Sequence, residues 1–124
     1  MIKAKYIKKK IFILLISSLF SVDLSQLENC VNYNMSLDRS DYHAGENLLL
    51  SFNISIQDGF HIYSVDPEKS LSPTYNEILD SSYFDIIGDL NEPIPQKKFD
   101  ANFNQDVYYH LNNIVIKQPL MIAN

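Results

Sequence analysis

The chain has 124 residues, with 10 basic and 15 acidic side chains, a formal net charge of −5 and a single cysteine. This length is enough for one small domain with one hydrophobic core, but not for two domains. One cysteine excludes an internal disulfide and two-thiol redox chemistry carried by these residues alone.

The N-terminal region has the composition of a secretory signal peptide. Five lysines lie within Met1–Lys10, and the apolar stretch Ile11–Phe20 follows them. This stretch is too short to cross a bilayer, which takes about 20 apolar residues, and Asp23 follows soon after it. We therefore expect a cleaved signal peptide over residues 1–21 and a flexible leader over residues 22–30. A retained amphipathic anchor is the alternative.

Cleavage of the signal peptide would change the charge balance of the protein. Five basic side chains would remain against all 15 acidic ones, so the formal net charge would become −10. A body this acidic repels phosphate backbones and anionic lipid. We therefore expect an exported protein whose partners are other proteins, and we expect no nucleic-acid or membrane-surface role.

Two stretches near the start of the expected mature chain alternate with period two, which predicts strands over Val31–Leu37 and Asn47–Gln57. Residues 41–46 between them predict a turn. The second stretch places its apolar side chains on one face, namely Leu48, Leu50, Phe52, Ile54 and Ile56. The pair Asp58-Gly59 predicts a tight hairpin, because both residues tolerate positive φ. Residues 60–64 would then form the returning strand.

The middle of the chain is less regular. Val65–Pro73 contains two prolines and three charges without periodicity, which predicts a loop. Thr74–Leu79 and Ser82–Ile87 are weaker strand candidates. Asn91–Pro95 cannot lie in a central strand, because both of its prolines lack a backbone donor. It is predicted as an edge or a connector.

The last part of the chain returns to β-rich patterns after the polar stretch 96–106. Val107–Leu111 and Ile114–Ile122 predict two strands, with the turn-prone pair Asn112-Asn113 between them. No amphipathic helical period follows the expected signal peptide. The pattern predicts an all-β antiparallel sandwich over residues 31–124. Because only Ala123-Asn124 follow the last apolar stretch, without a terminal turn or a closing strand, we expect the last strands to be missing and the sequence to be a fragment.

The most specific motif is DGFHIYS, residues 58–64. Further motifs occur in order along the chain, namely Tyr42–Glu46, Pro73-Thr74, Gly88, Pro93–Pro95, Lys97–Asp100, Phe103 and Val107–Tyr109. Together these motifs resemble the N-terminal periplasmic domain of the bacterial thiol:disulfide interchange protein DsbD.

The resemblance implies an immunoglobulin-like sandwich in the periplasm of a Gram-negative-type bacterium. Such a domain takes electrons from a transmembrane partner domain and passes them to periplasmic thiol and disulfide proteins, without a small-molecule cofactor. Members of the family carry two cysteines near the end of the domain, and nothing after Ile122 supplies them here.

This departure from the family leaves two explanations: the chain ends before the cysteine pair, or it belongs to a branch without cysteines. The 124 residues are in either case not catalytic by themselves. The alternative function is a non-catalytic exported module that binds another protein through its strand edges.

The resemblance also points to site residues. His61 and Tyr63 are two apart on one predicted strand, so they share a face, and in the family this face lies against the redox cysteines. There they would tune the pKa of a thiol; ordinary packing is the alternative. Asp100 and Phe103 fall where the family has a covering loop. Phe103 would shield a disulfide and Asp100 would accept a proton or repel a thiolate, the alternative being a solvated loop.

Two other residue types carry weaker signals. Cys30 follows the expected cleavage site without a basic neighbour, so we expect a spectator thiol in a flexible terminus. The spacing of His43, His61 and His110 matches no compact metal motif. We therefore expect dispersed surface histidines and no metal site.

Overall fold

A computed structural model describes residues 9–12, 30–78 and 82–124 of the chain. Within these residues the protein is all β, without a helix, and every strand pair is antiparallel. The strands are β1 (Lys9–Phe12), β2 (Val31–Leu37), β3 (Asn47–Ile56), β4 (Ile62–Tyr63), β5 (Tyr75–Ile78), β6 (Phe84–Ile86), β7 (Gln96–Asp100), β8 (Gln105–His110) and β9 (Asn113–Ile122). The predicted all-β antiparallel sandwich is confirmed.

The strands form a four-stranded sheet in the order β2-β3-β9-β6 and a three-stranded sheet in the order β4-β8-β7. β1 pairs with β5 in a separate two-stranded sheet. Apart from residues 9–12 and Cys30, the predicted signal peptide and leader lie outside the described residues. The part of the chain that the structure describes contains no helix long and apolar enough to cross a membrane.

The core lies between the two larger sheets and is built mainly by β3 and β9. The predicted apolar face of β3 is buried throughout, and β9 aligns with it so that Phe52 is opposite Ile116 and Leu48 is opposite Leu120. Ile62 of the three-stranded sheet joins the same cluster. Burying each such side chain stabilises the fold by roughly 1.5–3 kcal/mol, so this one cluster holds the sheets together.

The predicted hairpin after β3 is wrong, although the turn itself forms. Gly59 has a φ of +86°, yet β4 pairs with β8 of the other sheet and not with β3. The reason is that both edges of β3 are already occupied, one by β2 and the other by β9. The turn therefore carries the chain from one sheet to the other.

The polar stretch 96–106 contains a strand that the sequence pattern did not indicate. β7 pairs with β8 at the edge of the three-stranded sheet, and all its side chains except that of Asp100 are exposed. An edge strand exposed on both faces has no buried row of apolar side chains, so it lacks the alternation by which strands are predicted.

Candidate functional site

The candidate site lies on the side of the three-stranded sheet that faces away from the core. Ile62, which is buried in the core, is opposite His110, and the next pair is Tyr63 and Tyr109. Successive strand residues point to opposite sides, so Tyr63 and Tyr109 point away from the core. Gln96 of β7 is opposite Tyr109, so it lies on the same side of the sheet. Lys98 and Asp100 follow Gln96 at intervals of two residues and therefore share that side. We call the group His61, Tyr63, Lys98, Asp100 and Tyr109 the aromatic face.

The rings of the aromatic face are in edge-to-face contact. The His61 ring centre lies 5.2 Å from that of Tyr63 and 5.5 Å from that of Tyr109, with interplanar angles of 75° and 66°. Lys98 Nζ lies 4.8 Å from the centre of the Tyr109 ring, which is within the range of a cation–π interaction. The side chains from three strands therefore form one continuous surface.

Two polar atoms of this face are buried without a hydrogen-bond partner among the described residues, namely His61 Nε2 and Tyr63 Oη. Tyr63 is only 4% exposed. Buried polar groups almost always have a partner, and leaving one unpaired costs about 1–3 kcal/mol. The pair marks the aromatic face as a place where a ligand group can supply the missing hydrogen bonds.

Burial is the largest influence on the pKa of both groups and favours their neutral forms. Burial lowers the pKa of His61, Lys98 lowers it further, and Asp100 acts in the opposite direction. Burial, followed by the Asp100 charge, raises the pKa of Tyr63. The face therefore presents an uncharged imidazole and an uncharged phenol to an entering group.

The residues for which a covering loop was predicted lie at the tip of the β7–β8 hairpin. Asp100 Oδ1 accepts a hydrogen bond from the Asn102 N–H at 2.8 Å, and Asn104 adopts a φ of 52° at the turn. Phe103 is 36% exposed, and among the described residues no ring contact joins it to His61 or Tyr63. The charge of Asp100 thus acts on His61 and Tyr63 of the aromatic face. Phe103 lies at the hairpin tip.

Sequence reasoning missed Lys98 and Tyr109 as members of this face. The pairing of β7 with β8 and of β8 with β4 places them next to His61 and Tyr63. A local sequence pattern does not show this pairing.

A second polar cluster lies on the inward side of the same sheet. His110 Nε2 donates to Glu92 Oε2 at 2.7 Å, since a carboxylate can only accept, and Ser64 Oγ donates to Glu92 Oε1 at 2.5 Å. The Val65 N–H donates to Glu92 Oε2 at 3.0 Å. The expectation of a surface position is wrong for His110, which is 3% exposed, because Glu92 provides a buried partner.

Cys30 is also placed differently from the expectation of a flexible terminus. It is 1% exposed, and its carbonyl accepts a hydrogen bond from the Gln57 N–H at 2.8 Å. The β2–β3 pairing that begins at the next residue holds it against the four-stranded sheet, and burial raises the pKa of its thiol. Cys30 lies outside the aromatic face.

The described residues contain no group of three or more His, Cys, Asp or Glu side chains that could hold a metal ion. Comparison of the chain with models of known protein families, with curated proteins and with solved structures finds no match.

Proposed function

We propose that this chain is an exported domain of a periplasmic thiol:disulfide interchange system, one that relays reducing equivalents to exported proteins. The observation that supports it best is the pair of unpartnered atoms, His61 Nε2 and Tyr63 Oη, on the aromatic face. A cysteine sulfur fits this pair, because a thiol is both a weak donor and a weak acceptor and a thiolate is an acceptor. The signal-like N-terminus supports export.

The proposal requires a cysteine-bearing segment that enters the aromatic face. Cys30 is the single cysteine of the 124 residues and is buried against the four-stranded sheet. The segment therefore belongs to another part of the same protein or to a partner. Its thiolate attacks a disulfide of the exported client, one S–S bond forms as the client's bond breaks, and a second thiol of the segment resolves the mixed disulfide.

The test is to trap the mixed disulfide. The complete reading frame that contains these 124 codons is expressed in a Gram-negative host, free thiols are blocked by acid quenching and alkylation, and the periplasmic fraction is run on a non-reducing gel. We expect adducts of higher mass that disappear with reductant. A complete protein without a cysteine pair, and without such adducts, would contradict the proposal.

Two variants locate the chemistry. The Cys30→Ser variant should keep the adducts, because the buried thiol takes no part in them. The double variant His61→Ala, Tyr63→Phe should lose most of them, because the entering sulfur loses both hydrogen-bond partners. Adducts that depend on Cys30 and not on the aromatic face would overturn the assignment of the site.

A second candidate function is a non-catalytic protein-binding module, and one observation favours it. Ile94 is 96% exposed between Pro93 and Pro95, which restrict the backbone around it. Because the flanking prolines already restrict the backbone, a contact made by Ile94 with a partner protein would cost little conformational freedom on binding.

A photo-crosslinking residue at position 94 distinguishes the two functions. A binding module should give a crosslinked partner that persists in reductant and does not depend on His61 or Tyr63. The same residue placed at the exposed position Asp58 serves as the control. No crosslink at position 94 above that of the control would count against the module.

A further inference from the structure

Lys98 brings a positive charge onto the aromatic face. Among the described residues, no carboxylate forms an ion pair with it, whereas its neighbour Lys97 is paired with Asp106 at 3.2 Å. Lys98 instead lies over the Tyr109 ring. The charge of Lys98 is therefore available to a group that enters the face.

Lys97 and Lys98 lie on opposite sides of the same strand. In the β7–β8 register Lys97 is opposite Tyr108 and Lys98 is opposite Val107, so their side chains point to opposite sides of the sheet. The two lysines have the same chemistry and differ only in the side of the sheet that they face. Lys97 is therefore a matched control for any effect of Lys98.

Lys98 and Asp100 carry opposite charges on the aromatic face. After burial, which is the largest effect, Lys98 lowers the pKa of His61 and Asp100 raises it. Asp100 also acts, after burial, to raise the pKa of Tyr63. The Tyr63 and Tyr109 rings complete the surroundings of His61. The Lys98 ammonium group lies over the Tyr109 ring, and this ring is in contact with that of His61, so the Lys98 charge lies one ring away from His61.

We infer that Lys98 is a specificity-determining residue of the aromatic face, whose ammonium group favours a negatively charged sulfur beside the His61 and Tyr109 rings. This inference rests on the proposed function. The entering cysteine loses its proton to solvent and is held as a thiolate, which is the form that attacks a disulfide. The client's disulfide is reduced to two thiols while the cysteine pair of the segment is oxidised, so electrons and protons balance without another oxidant.

The test places a thiol at position 61 itself, with the His61→Cys variant. The rate of alkylation at residue 61 is measured against pH, and mass spectrometry separates it from the buried Cys30. Adding Lys98→Met should raise the pKa of the residue-61 thiol, giving about three- to tenfold less thiolate near neutral pH, since an opposite charge at this range shifts a pKa by about a unit. Lys97→Met should leave it unchanged, and Asp100→Asn should lower it.

A second measurement covers the case in which His61→Cys does not fold. The His61 imidazole is titrated by NMR in the otherwise unaltered chain, where Lys98→Met should raise its pKa and Lys97→Met should not. Equal pKa values with and without Lys98, or equal effects of both lysines, would overturn the inference. A complete protein that forms no mixed disulfide would contradict the proposed function and leave the Lys98 effect in place, so the two failures are distinguishable.

Discussion

At the residue scale, Tyr63 combines deep burial with a hydroxyl that has no partner among the described residues. We expect Tyr63→Phe to raise the free energy of unfolding by about 1 kcal/mol, because it removes an unpaired buried polar group. Urea denaturation followed by circular dichroism measures the change. The same variant should weaken the trapping of mixed disulfides, so stability and function should change in opposite directions.

Tyr42 provides the contrasting control at a similar burial of 2%. Its hydroxyl donates to Asp38 Oδ1 at 3.0 Å and accepts from the Arg39 N–H at 3.1 Å. Tyr42→Phe should therefore lower the free energy of unfolding by about 1 kcal/mol. If Tyr63→Phe were as destabilising as Tyr42→Phe, the Tyr63 hydroxyl would have a partner in solution and the argument for the site would fail.

Glu92 is the second residue for which the direction of a change in stability can be predicted. Burial acts to raise its pKa, but hydrogen bonds from His110, Ser64 and the Val65 N–H outweigh burial, so the pKa lies below its ordinary value. A lowered folded-state pKa stabilises the fold above the ordinary glutamate range, and this contribution is lost as the pH falls through the lowered pKa.

We expect Glu92→Gln to lower the free energy of unfolding by about 2 kcal/mol at neutral pH, since it weakens hydrogen bonds to a charged group. The difference from the unaltered protein should shrink in acid, which denaturation at a series of pH values would show. Glu68→Gln, at an exposed position, should cost little at any pH. A Glu92→Gln difference that stayed constant into acid would contradict the lowered pKa.

At the element scale, the turn between β3 and β4 depends on a glycine. Gly59 has a φ of +86° with open space around the position of a Cβ atom, so only the backbone conformation opposes a side chain. We expect Gly59→Ala to destabilise the fold by about 1 kcal/mol. Gly88, which lacks a positive φ and would place a Cβ 3.5 Å from Pro119 Cγ, is the control. Equal thermal denaturation midpoints for the two alanine variants would contradict this account.

Strands in which apolar and polar residues alternate could be predicted from sequence, and a strand without this alternation could not. β2, β3 and β9 agree with their predictions to within a residue. In β3 and β9 the alternation corresponds to a buried face, whereas in β2 only the two end residues, Val31 and Leu37, are half-buried. β7 has the sequence QKKFD, in which apolar and polar residues do not alternate, so its sequence resembles a loop. Its backbone hydrogen bonds to β8 make it a strand, and the sequence pattern does not report such bonds.

At the scale of the whole molecule, one core joins the two larger sheets, so they should unfold together. Leu120 is fully buried on β9 and contacts the cluster that includes Ile62 of the other sheet. Leu120→Ala should lower the free energy of unfolding by about 2–5 kcal/mol and reduce hydrogen-exchange protection in β8 as well as in β9. Val115→Ala on the same strand, at 39% exposure, should do little. Loss of protection confined to β9 would show that the sheets are independent.

The sequence by itself determined the fold class, most of the strands and the shared face of His61 and Tyr63, because these follow from side-chain alternation along a single strand. Only the tertiary structure decided that the turn at Gly59 leads to the other sheet, that Lys98 and Tyr109 join His61, and that Glu92 and His110 form a buried pair. The physical reason is that these features depend on which strand edges are already occupied. Such pairings join residues far apart in the chain, and a local pattern does not record them.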